Sequence, residues 1–214
     1  MPELVFDCVA AGSNPYAVGP TLTFRLRIAE TTGEHVHAIA LRCQFRIEPQ
    51  KRRYSDDEAR HLESLFGDRS RWAQTVRPLQ FAEAAVMVPS FIGSTEIDVP
   101  VACTYDLDIA ASDYFHALQE GEIHFLLLFS GTVFTRGESG FSVAPIPWHK
   151  EAAHRLPIQE WRAMMDRFFP NSGWLRLSRG TLDALSDYKS VRALATWEHT
   201  ITSLLDEASQ HDRG

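Results

Sequence analysis

Nine histidines and three cysteines carry most of the chemical potential of this chain, and few of them are spaced to use it. His35 and His37 are two residues apart, so on a strand both imidazoles share one face, which is a usable start for a zinc site. The preceding loop offers no cysteine and no second pair sits at finger spacing, so a hydrogen-bonded pair beside a turn is the simpler reading. His149 and His154 flank Lys150-Glu151-Ala152-Ala153, and the H-E-x-x-H order of zinc peptidases is absent. A metal-handling protein built on these four imidazoles requires at least three of them within metal-bond reach, about 2 Å from one point. Gly137-Glu138-Ser139-Gly140 lacks the Gly-x-Ser-x-Gly spacing and reads as a hairpin turn. Asp98, Asp106 and Asp108 could bind calcium but read as a solvent-facing stripe. Cys43 and Cys103 take inward positions on alternating strands, and Cys8 shares the phase of Leu4 and Phe6; such thiols behave as small hydrophobes. No phosphate loop or dinucleotide fingerprint is present, so the expectation is a non-enzymatic protein without a cofactor.

Recognition is the chemistry left. Arg25, Arg27, Arg42 and Arg46 lie on the exposed faces of strands read as neighbours, where they can pair with cross-strand carboxylates or present a patch to an acidic partner. Trp148 and His149 follow Pro145-Ile146-Pro147, whose prolines fix an extended path. The tryptophan there anchors a linker to the sheet or tips a recognition loop. Trp174 and Arg176 join these as candidate protein contacts.

The elements that must position these groups follow from periodicity. Ile97, Val99, Val101, Cys103, Tyr105, Leu107 and Ile109 alternate with mostly polar residues, the pattern of a strand with one buried face. Pro100 puts that strand at a sheet edge or bends it. Leu4 to Ala10, Thr21 to Ala29, Val36 to Glu48, Ala84 to Phe91 and Glu122 to Phe134 are further strands. Thr31-Thr32-Gly33-Glu34 between the second and third predicts a hairpin. Glu122 to Phe134 is apolar on both faces, so something should cover each. Ser55 with Glu58 forms a capping box for a helix carrying Leu62, Leu65 and Phe66 and ended by Gly67; residues 68–82 read as irregular, with Trp72 an anchor, and a short helix runs from Ser112 to Gln119. From Leu156 the period becomes helical: Ile158, Trp161, Met164, Met165 and Phe168, then helices capped by Ser178 and Thr196. The fold class is therefore α+β: an antiparallel β-sandwich-like domain over residues 1–150 with a short helical insertion near 55–66. A three-helix C-terminal segment, 151–209, packs on one face to make one compact unit.

At 214 residues the core can be substantial without staples. A net charge of −7 disfavours nucleic acid and anionic membranes as partners. Lys51-Arg52-Arg53 is followed at once by acids and reads as a solvated turn. Three unclustered cysteines, no basic leader and no apolar run long enough to insert into a bilayer point to the cytoplasm.

The stretches Pro20-Thr21-Leu22-Thr23-Phe24-Arg25-Leu26-Arg27, Leu41 to Gln50, Leu127 to Phe134, Pro147-Trp148-His149-Lys150-Glu151 and Phe169 to Leu177 resemble a mainly actinobacterial family, domain-of-unknown-function family 6084. The likeness covers nearly the whole chain. The family's genes lie near those of high-affinity nickel–iron uptake hydrogenases. The resemblance therefore implies an accessory role in assembly, maturation or docking, by binding a hydrogenase subunit or maturation factor; it assigns no functional residue. Two alternatives stand beside it: a nickel- or zinc-handling protein, and a small-molecule or carbohydrate-binding β-sandwich module.

Overall fold

Alternating apolar residues dominate the first half of the chain, and they set the inner faces of two antiparallel sheets. The computed structural model describes residues 2–103, 109–137, 140–172 and 177–211. Its strands are β1 (Leu4–Ser13), β2 (Thr21–Glu30), β3 (Val36–Ile47), β4 (Leu79–Val88), β5 (Ser94–Ala102), β6 (Glu122–Gly137), β7 (Gly140–Pro145) and β8 (Glu151–Pro157). Its helices are α1 (Asp56–Phe66), α2 (Trp72–Thr75), α3 (Ile109–Ala117), α4 (Ile158–Phe168), α5 (Arg179–Val191) and α6 (Trp197–His211). The smaller sheet has the order β1-β2-β5. The larger runs β4-β3-β6, with β7 and β8 both along the free side of β6.

The inner faces meet through aromatic pairs. Phe6 of β1 stacks on Phe129 of β6 at 4.4 Å, and Phe24 of β2 lies 4.6 Å from Phe45 of β3 and 5.3 Å from Phe125 of β6. Leu22, Phe24, Leu26 and Ile28 are fully buried, as are Ile39, Cys43, Phe45 and Ile47. Each such side chain contributes roughly 1.5–3 kcal/mol of burial.

The hairpin expected between β2 and β3 does not form. β2 pairs with β1 and β5, while β3 pairs with β4 and β6, so the link at Thr31 to His35 crosses from one sheet to the other. The cause is Glu30. Its buried carboxylate accepts the amides of Glu3 (3.1 Å), Thr32 (3.0 Å) and Glu34 (2.9 Å) and the Thr32 hydroxyl (2.6 Å). These donors satisfy the chain's polar groups as it arches, where a hairpin would have used a ladder. Burial opposes the Glu30 charge, yet the hydrogen bonds from Thr32 and Glu3 outweigh it and hold the carboxyl below its ordinary pKa.

Other boundaries move as well. β5 ends at Ala102 because its partner starts at Thr21; Cys103 makes the last bond, its amide donating to Pro20 O at 2.7 Å. Ile109, expected to end that strand, opens α3, and residues 104–108, with Asp106 and Asp108, lie outside the described residues. Pro100 sits on an edge strand, opposite Thr23, where its missing donor is harmless. β4 begins at Leu79, five residues before the expected start, and stops before Pro89; Phe91 keeps only an isolated bridge to Val36.

The C-terminal part also departs from expectation. Glu151–Pro157, read as part of a helical tail, is the strand β8, held by β6 and leaning on β1. Helix α4 buries Ile158, Trp161 and Met164, and Trp161 stacks on Phe115 of α3 at 4.2 Å. It therefore sits on the inner core and not on the outer face of β6. The chain divides into two units, Met1–Ser172 and Gly173–Gly214. In the second, α5 and α6 pair through the Tyr188 hydroxyl, which donates to Glu207 Oε1 at 3.0 Å, with an Arg192–Glu207 ion pair alongside. Their expected caps are present: Ser178 accepts from the Thr181 amide and Thr196 from the His199 amide.

Candidate functional site

The four arginines expected on one face lie on two. Arg25 and Arg27 project from the outer face of the smaller sheet, Arg42 and Arg46 from the outer face of the larger, because β2 and β3 belong to different sheets. The first two are neutralised in register. Arg25 donates to both carboxylate oxygens of Asp98 at 2.8 and 3.1 Å, and Arg27 donates twice to Glu96 Oε1 at 3.0 and 2.8 Å. The Arg25 hydrogen bond holds the Asp98 carboxyl below its ordinary pKa. Arg46 donates to Gln44 Oε1 at 3.1 Å. Arg42 is exposed and makes no hydrogen bond or ion pair with any described residue.

The four imidazoles do not converge on one point; only His35 and His37 are neighbours. His35 and His37 share a face, their rings 4.5 Å apart, and His35 Nε2 lies 2.7 Å from Ser90 Oγ. His154 Nδ1 donates to Cys8 O at 3.2 Å, and His149 is on an exposed turn. Among the described residues no three His, Cys, Asp or Glu side chains are placed to hold a metal ion. Cys43 and Cys103 are buried; burial pushes the Cys103 thiol up to about 12 and raises that of Cys43 further. Cys8 is half-buried where β1 bulges between Cys8 and Ala10, and burial takes it to about 12 too. Such thiols are poor nucleophiles.

Trp148 does not pin a linker to the sheet. Ile146 takes the buried position, and Trp148 stands 90 % exposed. The segment between β7 and β8 is a tight turn: the Lys150 amide donates to Pro147 O at 3.1 Å. Two further bonds clamp it to β6, Ile146 N to Gly131 O at 2.9 Å and Phe129 N to Lys150 O at 3.0 Å. Lys150 Nζ also reaches Glu3 Oε1 at 2.5 Å. A large apolar side chain is thus held out in water on a backbone with little freedom. Trp174 and Arg176 lie outside the described residues.

Next to this turn the outer face of the larger sheet sinks into a depression of about 510 Å³ lined by Ala40, Arg42, Ala85, Met87, Ser130 and Thr132, with Gly131 beneath. Ala40, Ala85, Ser130 and Thr132 are small, and Gly131 of β6 has a φ of +136°. A Cβ on Gly131 would lie 2.0 Å from Ala40 O, so only glycine fits. Arg42 was legible in the sequence as an outward residue of this surface, but the depression around Gly131 was not. The signal available was a lone glycine inside an otherwise apolar strand, the mark of a bulge or close backbone approach.

A second constellation missed by sequence is buried. Arg52, read as part of a solvated turn, meets Glu58 at 2.5 Å with side chains only 8 % and 4 % exposed. Glu58 also accepts the amides of Gln119 (2.8 Å) and Ser55 (3.1 Å), and Arg52 donates to Glu120 O. Beside them the Tyr54 hydroxyl donates to Pro49 O at 2.7 Å and lies 3.0 Å from that of Tyr114. The carboxylate is fully engaged with protein donors, so the cluster ties α1 to the end of α3 and offers no group to a substrate.

The sequence profile of a family of unknown function, DUF6084, matches residues 1–213. The chain belongs to this family. No curated protein matches it. Among solved structures, this DUF6084 member is similar to a protein described as late embryogenesis abundant, at 11 % identity, with 73 % of this chain and 71 % of that one covered and a TM-score of 0.33. It is also similar to a β-glucosidase from Kluyveromyces marxianus, at 11 % identity, covering 73 % of this chain and 15 % of that one, with a TM-score of 0.25. Among the described residues no helix is long and apolar enough to cross a membrane.

Proposed function

We propose that this chain is a β-sandwich protein-binding module, acting without catalysis as a cytoplasmic accessory to a nickel–iron uptake hydrogenase. The observation that carries the binding reading is Trp148, 90 % exposed on a turn fixed by three backbone hydrogen bonds. An exposed tryptophan leaves a large apolar surface in water, and tryptophans on rigid supports are the side chains that most often dominate protein interfaces. Rigidity adds to the case, because a turn already held in one shape loses little entropy when a partner closes on it. The hydrogenase as partner rests on the gene surroundings of the family, an associational warrant. The test is capture of hydrogenase subunits or maturation factors by the tagged full chain from cells that express them, in parallel with Trp148→Ala. The expected result is recovery with the native chain and loss with the variant. Equal recovery by both, or none by either, overturns the proposal.

A further inference from the structure

We infer that the depression on the outer face of the larger sheet receives an acidic side chain from an extended segment of the partner, with Arg42 as its counter-charge. The inference rests on the protein-binding reading and names the chemistry the partner presents. Its basis is charge left over. Arg25 and Arg27 are matched by Asp98 and Glu96 directly across the ladder. Arg42 has Ala85 on one side and Ser130 on the other, neither able to neutralise it. Glu83, two residues further along β4, makes no ion pair with it, and Gln44, the residue directly opposite Glu83, has its amide engaged with Gln80 at 2.7 Å. A guanidinium presents a planar fork of donors that fits a carboxylate through two parallel hydrogen bonds. Ser130 and Thr132 add hydroxyl donors beside it, while Ala40 and Ala85 keep the floor low enough for a partner backbone to approach. Met87, 63 % exposed, gives an adaptable apolar wall.

The net charge of −7 does not oppose this, because at physiological salt an exposed charge is felt over only about 8 Å. Geometry also sets the length of the segment. The row Ala85, Arg42, Ser130 runs on into the turn of Trp148, which brackets Ser130 through its bonds to Phe129 and Gly131. From Arg42 to that turn is two strand spacings, about 10 Å, which an extended chain covers in about three residues. The segment therefore carries Asp or Glu about three positions from an apolar residue.

The test is an NMR titration of the ¹⁵N-labelled full chain with acetyl-Ala-Glu-Ala-amide, its Gln counterpart and acetate. The Glu peptide should shift Ala40, Arg42, Ala85, Ser130 and Thr132 and bind at least about fivefold more tightly than the Gln peptide. Arg42→Gln should abolish that difference and Arg25→Gln should keep it. Equal binding of the two peptides, shifts elsewhere, or acetate matching the Glu peptide in affinity overturns the inference. If Trp148→Ala ends capture of hydrogenase subunits while Arg42→Gln leaves it intact, the acidic-segment inference fails and the protein-binding reading stands. If the peptide result holds and no subunit is captured by the native chain, the hydrogenase reading fails instead.

Discussion

Arg25 and Asp98 face each other directly across the β2–β5 ladder and share two hydrogen bonds, while Arg42, on the other sheet, faces only Ala85 and Ser130. The same residue type is thus closed by its neighbours in one place and left open in another.

The closed pair is a modest contributor to stability. Both side chains are about half exposed, so Asp98→Asn should cost about 0.5 kcal/mol in urea unfolding at neutral pH. Because the Asp98 pKa is lowered by folding, its share is present above the ordinary value of 3.8 and is lost as pH falls through the folded value. The variant and native curves should therefore converge in acid; a constant gap at all pH values would show that the pair contributes nothing through charge.

Glu58 is a different case, since its partner Arg52 is buried with it. Glu58→Gln should destabilise by about 3 kcal/mol, because an uncompensated guanidinium is left inside. Burial opposes the Glu58 charge, but the amides of Gln119 and Ser55 and the Arg52 guanidinium outweigh it, and the pKa lies below 4.5. The native protein should lose this stabilisation as pH drops below that value, seen as a falling melting temperature absent from the Gln variant.

Two glycines with positive φ should respond unequally to alanine. Gly33, φ +83°, has open space around its Cβ position, so Gly33→Ala should cost only about 1 kcal/mol of backbone strain. Gly131→Ala adds a collision with Ala40 O and should cost at least about 3 kcal/mol or prevent folding. Thermal denaturation of both variants checks the difference; equal losses would mean that the close approach at Gly131 relaxes freely.

Two tryptophans should report opposite environments. Trp148 at 90 % exposure should contribute red-shifted, readily quenched emission that falls, but is not lost, in Trp148→Phe because Trp197 is also 44 % exposed, with stability changed by less than about 0.5 kcal/mol. Trp161, 3 % exposed and stacked on Phe115, should cost about 3–5 kcal/mol as Trp161→Ala. Acrylamide quenching and urea titration measure the two effects.

The sequence by itself determined which way most strand side chains face and where the helices capped by Ser55, Ser178 and Thr196 begin. Period-two alternation put Phe24 and Phe45 inward and Arg25 and Arg46 outward, Ser55 with Glu58 formed the capping box, and Pro100 fell on an edge strand. These are local properties, set by the pleat, by orphan amides in one helical turn and by a missing donor. Tertiary structure decided which strands pair. Alternation gives a strand its faces but not its neighbour, and the expected hairpin is instead an arch between sheets, held by the Glu30 carboxylate. That single choice separated Arg25 and Arg27 from Arg42 and Arg46. The exposure of Trp148 was settled the same way, by hydrogen bonds between its turn and Gly131 and Phe129, fifteen or more residues away in sequence and brought close only by the pairing of β6 with β7 and β8.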